Sequence, residues 1–175
     1  LVLTVSLDCT AKIFDSYTGE CKQTLCGHDD CFFNSGVFSA DGSLVLVASG
    51  TAKIFDSFTG ECKQTLFGHR GDVISAVFSA DESSVLTASD DCTAKIFDSS
   101  TGECKYTLFG HCRQPYSAVF SVDGSSVFIT SGDCTAKIFD GFTGECKQAL
   151  SGYRACQFAA VSSADGSLAL IIFDH

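Results

Sequence analysis

One six-residue string recurs along the chain at an almost constant spacing. The letters TAKIFD occur four times, and the aspartate that ends them stands at positions 15, 56, 98 and 140, so that successive copies lie 41, 42 and 42 residues apart. A close variant of STGECKQTLFGH follows each copy. Self-similarity of this kind is typical of repeat architectures, in which each unit buries its apolar face only against its neighbours. The chain is therefore expected to fold as a row of equivalent modules.

Each period divides into four strand-like runs separated by turn signals. In the third unit the runs are SAVFS (75–79), SVLTAS (84–89), TAKIF (93–97) and CKYTLF (104–109). Small or polar residues alternate with apolar ones, which favours strands, and the spacing of an amphipathic helix is missing. Asp-Gly between two such runs is a strong hairpin signal, because both residues tolerate positive φ. The pattern predicts an all-β fold of four-stranded antiparallel blades, as in a β-propeller.

The order of the motifs within each unit resembles the WD-repeat family. Gly-His is followed by V-x-F-S-x-D-G, then S-x-D-x-T, then K-I-F-D, and this order recurs through almost the whole chain. The resemblance implies one propeller domain over residues 1–175 that binds other proteins or peptides. Its repeat units are approximately 1–28, 29–69, 70–111, 112–152 and a degraded unit at 153–175. Because residue 1 is Leu and not Met, we expect about four repeats of an incomplete propeller or a fragment of one.

The tryptophan that gives the family its name is phenylalanine in every unit of this chain. In the family, that Trp often joins a buried network with the His of Gly-His, a Ser or Thr of the second strand and the Asp of a tight turn. The resemblance assigns to such structural networks His28, His69, His111, Asp8, Asp91, Asp133, Phe14, Phe55, Phe97 and Phe139. The hydroxyl is expected from Thr87 or Ser89 in the third unit and from Ser131 in the fourth. Phe has no N–H donor, so each network loses one hydrogen bond, worth about 0.5–1.5 kcal/mol.

Two units depart further from the pattern. The second reads VASGTAKIFD and lacks the residues that would carry the turn aspartate. The last has Tyr153 where the histidine is expected and ends with Phe173 in its own IFD. Its segment between DGSL and IFD is too short for separate second and third strands, so we expect an incomplete blade there.

The charge balance excludes some classes of partner. Lys and Arg number 11 against 21 Asp and Glu, which gives a net charge of −10. Nucleic acids and anionic membrane surfaces need cationic charge, so we expect neither as a partner. No apolar run approaches the roughly 18 residues that a bilayer-spanning helix needs. Proteins or peptides are the expected partners.

Most of the 11 cysteines are simply repeat positions. Seven of them fall in the GECK and DCT motifs, namely Cys21, Cys62, Cys104, Cys146, Cys9, Cys92 and Cys134. Equivalent positions on successive blades lie in separate sheets, so these residues are not expected to pair. We interpret them as buried free thiols that pack as small apolar side chains. Free thiols indicate a reducing, intracellular compartment, and the cytoplasm is predicted.

Two alternatives would give the cysteines a chemical role. Cys26, His28 and Cys31, with Cys21 nearby, have a spacing that zinc accepts, but His28 and Cys21 are ordinary repeat residues. Cys112 directly follows His111, yet adjacent residues tend to point apart, and a nucleophile needs its base within hydrogen-bond reach. The chain also lacks the common nucleophile-elbow, phosphate-loop and dinucleotide motifs. We predict no catalytic residue, no metal and no cofactor.

The loops that follow Gly-His differ between units, whereas the strand blocks are nearly identical. All three arginines stand at this register, and interface hot spots favour Arg and aromatic residues. We therefore expect a partner-binding surface made by Asp30, Arg70, Asp72, Arg113, Tyr116 and Arg154. The alternative interpretation is that these arginines merely occupy solvated loop positions.

A self-assembling fragment is a second interpretation of the same repeats. The N-terminal unit offers three strands (1–7, 10–15 and 21–26) without a first one, and 157–163 reads as a first strand without a blade. This strand is able to pair with the N-terminal blade and close a ring of four, or to pair with another copy through open edges and form a homo-oligomer.

Overall fold

Strands account for all the regular structure that is described. The computed structural model describes residues 1–6, 8, 10–26 and 34–151, and the backbone of 157–162 and 169–173. These residues form 17 β-strands, and no helix among them is long and apolar enough to cross a membrane. The prediction of an all-β fold is confirmed.

The strands form five antiparallel sheets in chain order. Blade 1 has three strands: β1 (Val2–Val5), β2 (Ala11–Phe14) and β3 (Cys21–Leu25). Blade 2 has four: β4 (Ser35–Phe38), β5 (Leu44–Ala48), β6 (Ala52–Asp56) and β7 (Cys62–Leu66). Blade 3 has four: β8 (Val73–Phe78), β9 (Ser84–Ser89), β10 (Ala94–Asp98) and β11 (Cys104–Leu108). Blade 4 has four: β12 (Pro115–Phe120), β13 (Ser126–Ser131), β14 (Ala136–Asp140) and β15 (Cys146–Leu150). The last sheet pairs β16 (Gln157–Ser162) with β17 (Ala169–Phe173).

Sequence and structure agree on the strands of blade 3 to within two residues. β9 spans the predicted 84–89, β10 is shifted by one residue at each end, and β11 ends one residue early. β8 begins before the predicted residue 75, because Val73 still pairs with Ser89 across a bulge. The three predicted strands of the N-terminal unit are present, and the degraded last unit has two strands. Among the described strands, β16 pairs with β17 and not with β1, so the described strands do not close a ring of four.

Successive blades pack face to face through the signature phenylalanines. The third strand of one blade contributes an isoleucine, and the next blade contributes the Phe of Phe-Asp. The pairs within one apolar cluster are Ile13 with Phe55, Ile54 with Phe97, and Ile96 with Phe139. Each of these side chains is buried, a contribution of about 1.5–3 kcal/mol apiece. Phe in place of Trp therefore keeps the packing between blades and gives up only a donor. The arrangement is that of an incomplete β-propeller.

A bulge in the fourth strand corrects the prediction that the repeat cysteines are buried. In blade 3, Phe97 pairs with Cys104 and Ile96 with Tyr106, which leaves Lys105 as the extra residue. The GECK cysteine thus begins the outermost strand of its blade, where one face meets solvent. The exposed members are Cys21, Cys62, Cys104 and Cys146, and Cys92 and Cys134 are half-buried. The cysteines of the described residues are all free, as predicted.

Candidate functional site

Two sets of loops lie at opposite ends of the strands. We call one end the Gly-His face: it carries the loops at 67–72 and 109–114 and the turns at 90–93 and 132–135. The other end, the hairpin face, carries the turns between the first and second strands and between the third and fourth. Of the predicted partner-binding residues, Arg70, Asp72, Arg113 and Tyr116 belong to the Gly-His face, because the first strands of blades 3 and 4 start there.

A buried histidine network anchors the Gly-His face of blade 3. The side chain of His69 is 3% exposed, and its Nδ1 lies 3.0 Å from the Asp91 carboxylate. Its Nε2 lies 2.8 Å from the Thr87 hydroxyl. The Thr93 hydroxyl donates to Asp91 at 2.6 Å, and the Arg70 backbone N–H donates to the same carboxylate at 2.9 Å. The network therefore fixes the backbone of the loop that carries Arg70.

The charges within this network follow from burial and hydrogen bonding. Burial lowers the pKa of His69, although Asp91 acts to raise it. Burial also acts to raise the pKa of Asp91, but bonds from Thr93, the Arg70 N–H and His69 outweigh it and hold that pKa at about 2. At neutral pH a neutral imidazole thus donates from Nδ1 to an ionised carboxylate. Its Nε2 is left to accept from Thr87.

Blade 4 repeats half of this network. His111 is 4% exposed with Nδ1 3.0 Å from Asp133, and the Cys112 N–H donates to Asp133 at 2.9 Å. Ile129 occupies the position of Thr87, and the hydroxyl is displaced to Thr130 one residue later. As a result, His111 Nε2 and Thr130 Oγ1 are both buried without a hydrogen-bond partner among the described groups.

The serines expected in these networks bond to the loop and to the turn aspartate, and not to the histidine. Ser89 donates to the Gly71 carbonyl and accepts from the Asp91 N–H, and Ser131 donates to the Arg113 carbonyl and accepts from the Asp133 N–H. Ser131 thus joins the network of blade 4 through Asp133, and in blade 3 it is Thr87 that bonds to the histidine. Because side chains alternate along a strand, Thr87 and Ser89 lie on the same face of β9. Ser89 is two residues nearer the end of the strand, where its hydroxyl meets the loop and not the histidine.

The remaining network residues are placed as follows. The rings of His69 and Phe97 lie 6.4 Å apart and tilted, so Phe97 packs beside the network without bonding to it. Asp8 is exposed and accepts from the Thr10 N–H and hydroxyl, as Asp91 does from Thr93. His28 lies outside the described residues. Phe14 is half-buried.

Arg70 lines a cleft that also holds a second cation and an exposed aromatic ring. The cleft has a volume of about 480 Å³ and includes Lys95 and Phe109. Lys95 Nζ donates to the Thr107 hydroxyl at 2.8 Å. The Phe109 side chain is 68% exposed, as is Phe67 at 70%, one repeat earlier. Sequence reasoning missed these two rings, although an apolar residue directly before Gly-His was a visible signal.

Arg113 and Tyr116 line an adjoining cleft of about 470 Å³. Tyr116 packs over Gly132, where a Cβ would come within 2.9 Å of the tyrosine oxygen. Cys92 lines both clefts, so the two arginines from successive blades belong to one continuous surface. Asp72 is exposed, and its carbonyl accepts the Asp90 N–H at 3.0 Å.

Two of the predicted partner-binding residues, Asp30 and Arg154, lie outside the described residues. So do His28 and Cys31 of the zinc alternative. Within the described part of the chain, no group of three His, Cys, Asp or Glu residues is placed to hold a metal ion. The imidazole of His111 is turned towards Asp133, and the Cys112 side chain is exposed.

The profile of the family described as WD domain, G-beta repeat, matches three segments, at residues 19–56, 60–98 and 102–140. The chain belongs to the WD-repeat family. Each match starts one strand before a blade, so that 60–98 covers β7 of blade 2 and then β8 to β10 of blade 3. Comparison with curated proteins gives no significant match. WD repeats generally mediate binding between proteins and are typically not enzymes.

Proposed function

We propose that this domain is a protein-interaction scaffold that binds a protein or peptide partner through its Gly-His face. One observation carries the proposal: Arg70 and Arg113, from successive blades, line adjoining clefts in the loops where the repeats differ most. The identical strand blocks supply a frame, and the variable loops supply the contacts. The exposed ring of Phe109 adds apolar area beside the cations.

The histidine networks favour this use because they hold the loops in place. Asp91 fixes the Arg70 N–H, and Asp133 fixes the Cys112 N–H next to Arg113. A loop that is already ordered loses less conformational entropy when a partner binds, so more of the contact energy appears as affinity. Arg presents a planar fork of N–H donors, which suits carboxylates and carbonyl groups of a protein partner.

The net charge of −10 supports a protein partner over a nucleic acid or an anionic membrane. We place the domain inside the cell, in the reducing cytoplasm, and the free cysteines of the described residues support that placement. The proposed role is binding and not catalysis.

The test is charge reversal at the three loop arginines. The variant Arg70→Glu/Arg113→Glu/Arg154→Glu is expected to lose the partners that the natural chain captures. Its melting temperature should be unchanged, because Arg70 and Arg113 are exposed. A matched control, Lys22→Glu/Lys63→Glu/Lys147→Glu, places three charge reversals on the outermost strands, with its folding checked by the melting temperature. Capture that survives in the arginine variant, or is lost equally in the control, contradicts the proposal.

Self-association is a second candidate function. Among the described strands, β1 pairs only with β2, so its other edge presents unpaired backbone groups that a strand of another copy is able to meet. Light scattering on the purified chain across a range of concentrations separates a monomer from an assembly. A constant monomer mass rules this candidate out.

A further inference from the structure

A cleft on the hairpin face opens between blades 3 and 4, at the opposite end of the strands from the surface proposed above. Its volume is about 330 Å³. Its walls come from the turn at Ser79–Ser84 of blade 3, the turn at Ser121–Gly124 of blade 4, and Phe142. Two of the apolar side chains at its mouth, Val122 and Phe142, are 47% and 64% exposed. We call the contact line between two neighbouring blades on this face a seam. The WD-repeat pattern does not explain the cleft, because two hydrogen bonds span the equivalent seam between blades 2 and 3.

Two side chains bridge the seam between blades 2 and 3. Glu82, in the hairpin turn of blade 3, accepts a hydrogen bond from the Ala40 backbone N–H of blade 2 at 2.5 Å. Gln64, in the fourth strand of blade 2, donates to the Ser100 carbonyl of blade 3 at 2.6 Å. Both bonds join residues of neighbouring blades.

The seam between blades 3 and 4 has neither bridge. Gly124 stands where Glu82 stands one repeat earlier, and Tyr106 stands where Gln64 does. The Ala80 N–H, equivalent to that of Ala40, has no hydrogen-bond acceptor among the described groups, and the Phe142 carbonyl, equivalent to that of Ser100, has no donor there. A Cβ built at Gly124 meets nothing within 4 Å, so the first atom of a Glu82-like side chain has room there.

We infer that this seam binds a partner protein through a glutamate side chain that reproduces the contact of Glu82. The partner's carboxylate accepts the Ala80 N–H, and an apolar neighbour of that glutamate packs against Val122 and Phe142. Glu82 itself is the template, because it makes the same contact within this chain.

The two seams carry the same kinds of charged groups. A partner's glutamate at Ala80 therefore meets the same charges that Glu82 meets at Ala40. Blade 2 carries Asp41 next to Ala40 in the chain and the ion pair of Lys63 with Asp56, 3.1 Å long, on its third and fourth strands. Blade 3 carries Asp81 next to Ala80 in the chain and the ion pair of Lys105 with Asp98, 3.0 Å long, on its third and fourth strands. Asp123 of blade 4 corresponds to Asp81 beside Glu82, and its Oδ1 already accepts from Ser121 and Ser125. Lys105 lines the cleft and supplies its cation.

The test uses the whole chain labelled with nitrogen-15 and a short peptide as the probe. The probe is acetyl-Ala-Asp-Glu-Phe-Ser-amide, which keeps residues 80–82 of the chain and adds an apolar neighbour after the glutamate, and the control peptide carries Gln in place of Glu. We expect a saturable change in the Ala80 amide signal with the Glu probe and binding at least fivefold weaker with the Gln peptide. No saturable change at Ala80, or equal binding of the two peptides, overturns the inference.

Three variants separate this seam from non-specific binding. Gly124→Glu fills the seam from within and should abolish the response of Ala80 to the probe. Gly42→Glu, the same change at the equivalent turn of blade 2, should leave that response unchanged. Glu82→Gly opens the preceding seam and should add a response at the Ala40 amide, which also tests the idea if Gly124→Glu does not fold. Binding that persists in folded Gly124→Glu, or an Ala40 amide that stays silent in Glu82→Gly, contradicts the inference. None of these readouts depends on the arginine surface of the Gly-His face.

Discussion

Blades 3 and 4 share nearly the same sequence yet differ in how well their histidines are bonded. In blade 3 both ring nitrogens of His69 have partners, Asp91 and Thr87. In blade 4 the Nδ1 of His111 is bonded to Asp133, but the Nε2 is buried without a partner among the described groups. The difference comes from the shift of one hydroxyl by one residue. A repeat therefore keeps its fold when half of its signature network is lost.

The largest effects are expected at the aspartates, where the two blades are alike. Asp91→Ala and Asp133→Ala each remove an ionised acceptor that ties together a threonine, a histidine and a loop N–H. We expect each to lower the free energy of unfolding by about 2–3 kcal/mol, because several buried donors are left unpaired. Urea denaturation of the two variants measures this. If only one of the two variants loses free energy of unfolding, the two aspartates do not have equivalent roles.

Removal of the Thr87 hydroxyl should turn blade 3 into a copy of blade 4. Thr87→Val keeps the shape and leaves His69 Nε2 without its donor, so we expect a loss of about 1–2 kcal/mol in the free energy of unfolding. Thr87→Ser, which keeps the hydroxyl, is the control and should cost less. If the two variants unfold at the same urea concentration, the bond to Nε2 contributes nothing.

The reverse change in blade 4 introduces the hydroxyl that His111 lacks. Ile129→Thr loses buried apolar surface but offers a hydroxyl to His111 Nε2, so its net cost should stay below about 1 kcal/mol. The control is Ile96→Thr, at a buried position with no histidine nitrogen to satisfy, which should cost about 2 kcal/mol or more. Equal losses in the two variants would show that Nε2 gains no partner.

Thr130→Ala should stabilise blade 4 slightly. Its hydroxyl is buried without a partner among the described groups, and Ala88 fills the equivalent place in blade 3. Removal of an unsatisfied polar group should raise the free energy of unfolding by up to about 1 kcal/mol, observable as a higher urea midpoint. A lower midpoint would mean that the hydroxyl has an acceptor after all.

The smallest effect is expected from mild acid. Burial lowers the pKa of both His69 and His111, so the unfolded chain takes up protons first, at its ordinary pKa of about 6.5. Stability is therefore full above that pH and falls as the pH is lowered through it. The pKa of Asp91 and of Asp133 is about 2, so their contribution persists down to about pH 4 and is lost between there and 2. Unfolding midpoints between pH 8 and pH 5 should decline, and less so in a His69→Gln/His111→Gln variant.

The repeat itself made much of the fold predictable. Alternation along SVLTAS gave β9, and the position of His69, Thr87 and Asp91 within the unit gave one network. One period after Thr87 stands Ile129, so the sequence also predicts that His111 lacks this hydroxyl, whereas Ser131, one period after Ser89, bonds to the loop and to Asp133. The exposure of Cys104 was missed because it depends on a bulge in the outermost strand, which local alternation does not reveal.

The surfaces were less predictable than the strands. The register of Arg70 and Arg113 pointed to the Gly-His face, but their adjoining clefts depend on how neighbouring blades are set against each other. The hairpin-face seam depends on Gly124 and Tyr106 lying opposite residues of another repeat. Such contacts are separated by about one repeat in sequence and appear only when the blades are packed together.

Amide hydrogen exchange, on the chain alone and in complex with a captured partner, shows whether the Gly-His face is the binding surface. If the Gly-His face binds the partner, protection should rise in the loops at 67–72 and 109–116. The turns of the hairpin face outside the seam, such as 57–61, should exchange at unchanged rates. Unchanged exchange in both Gly-His loops, with the partner bound, would contradict binding at this face.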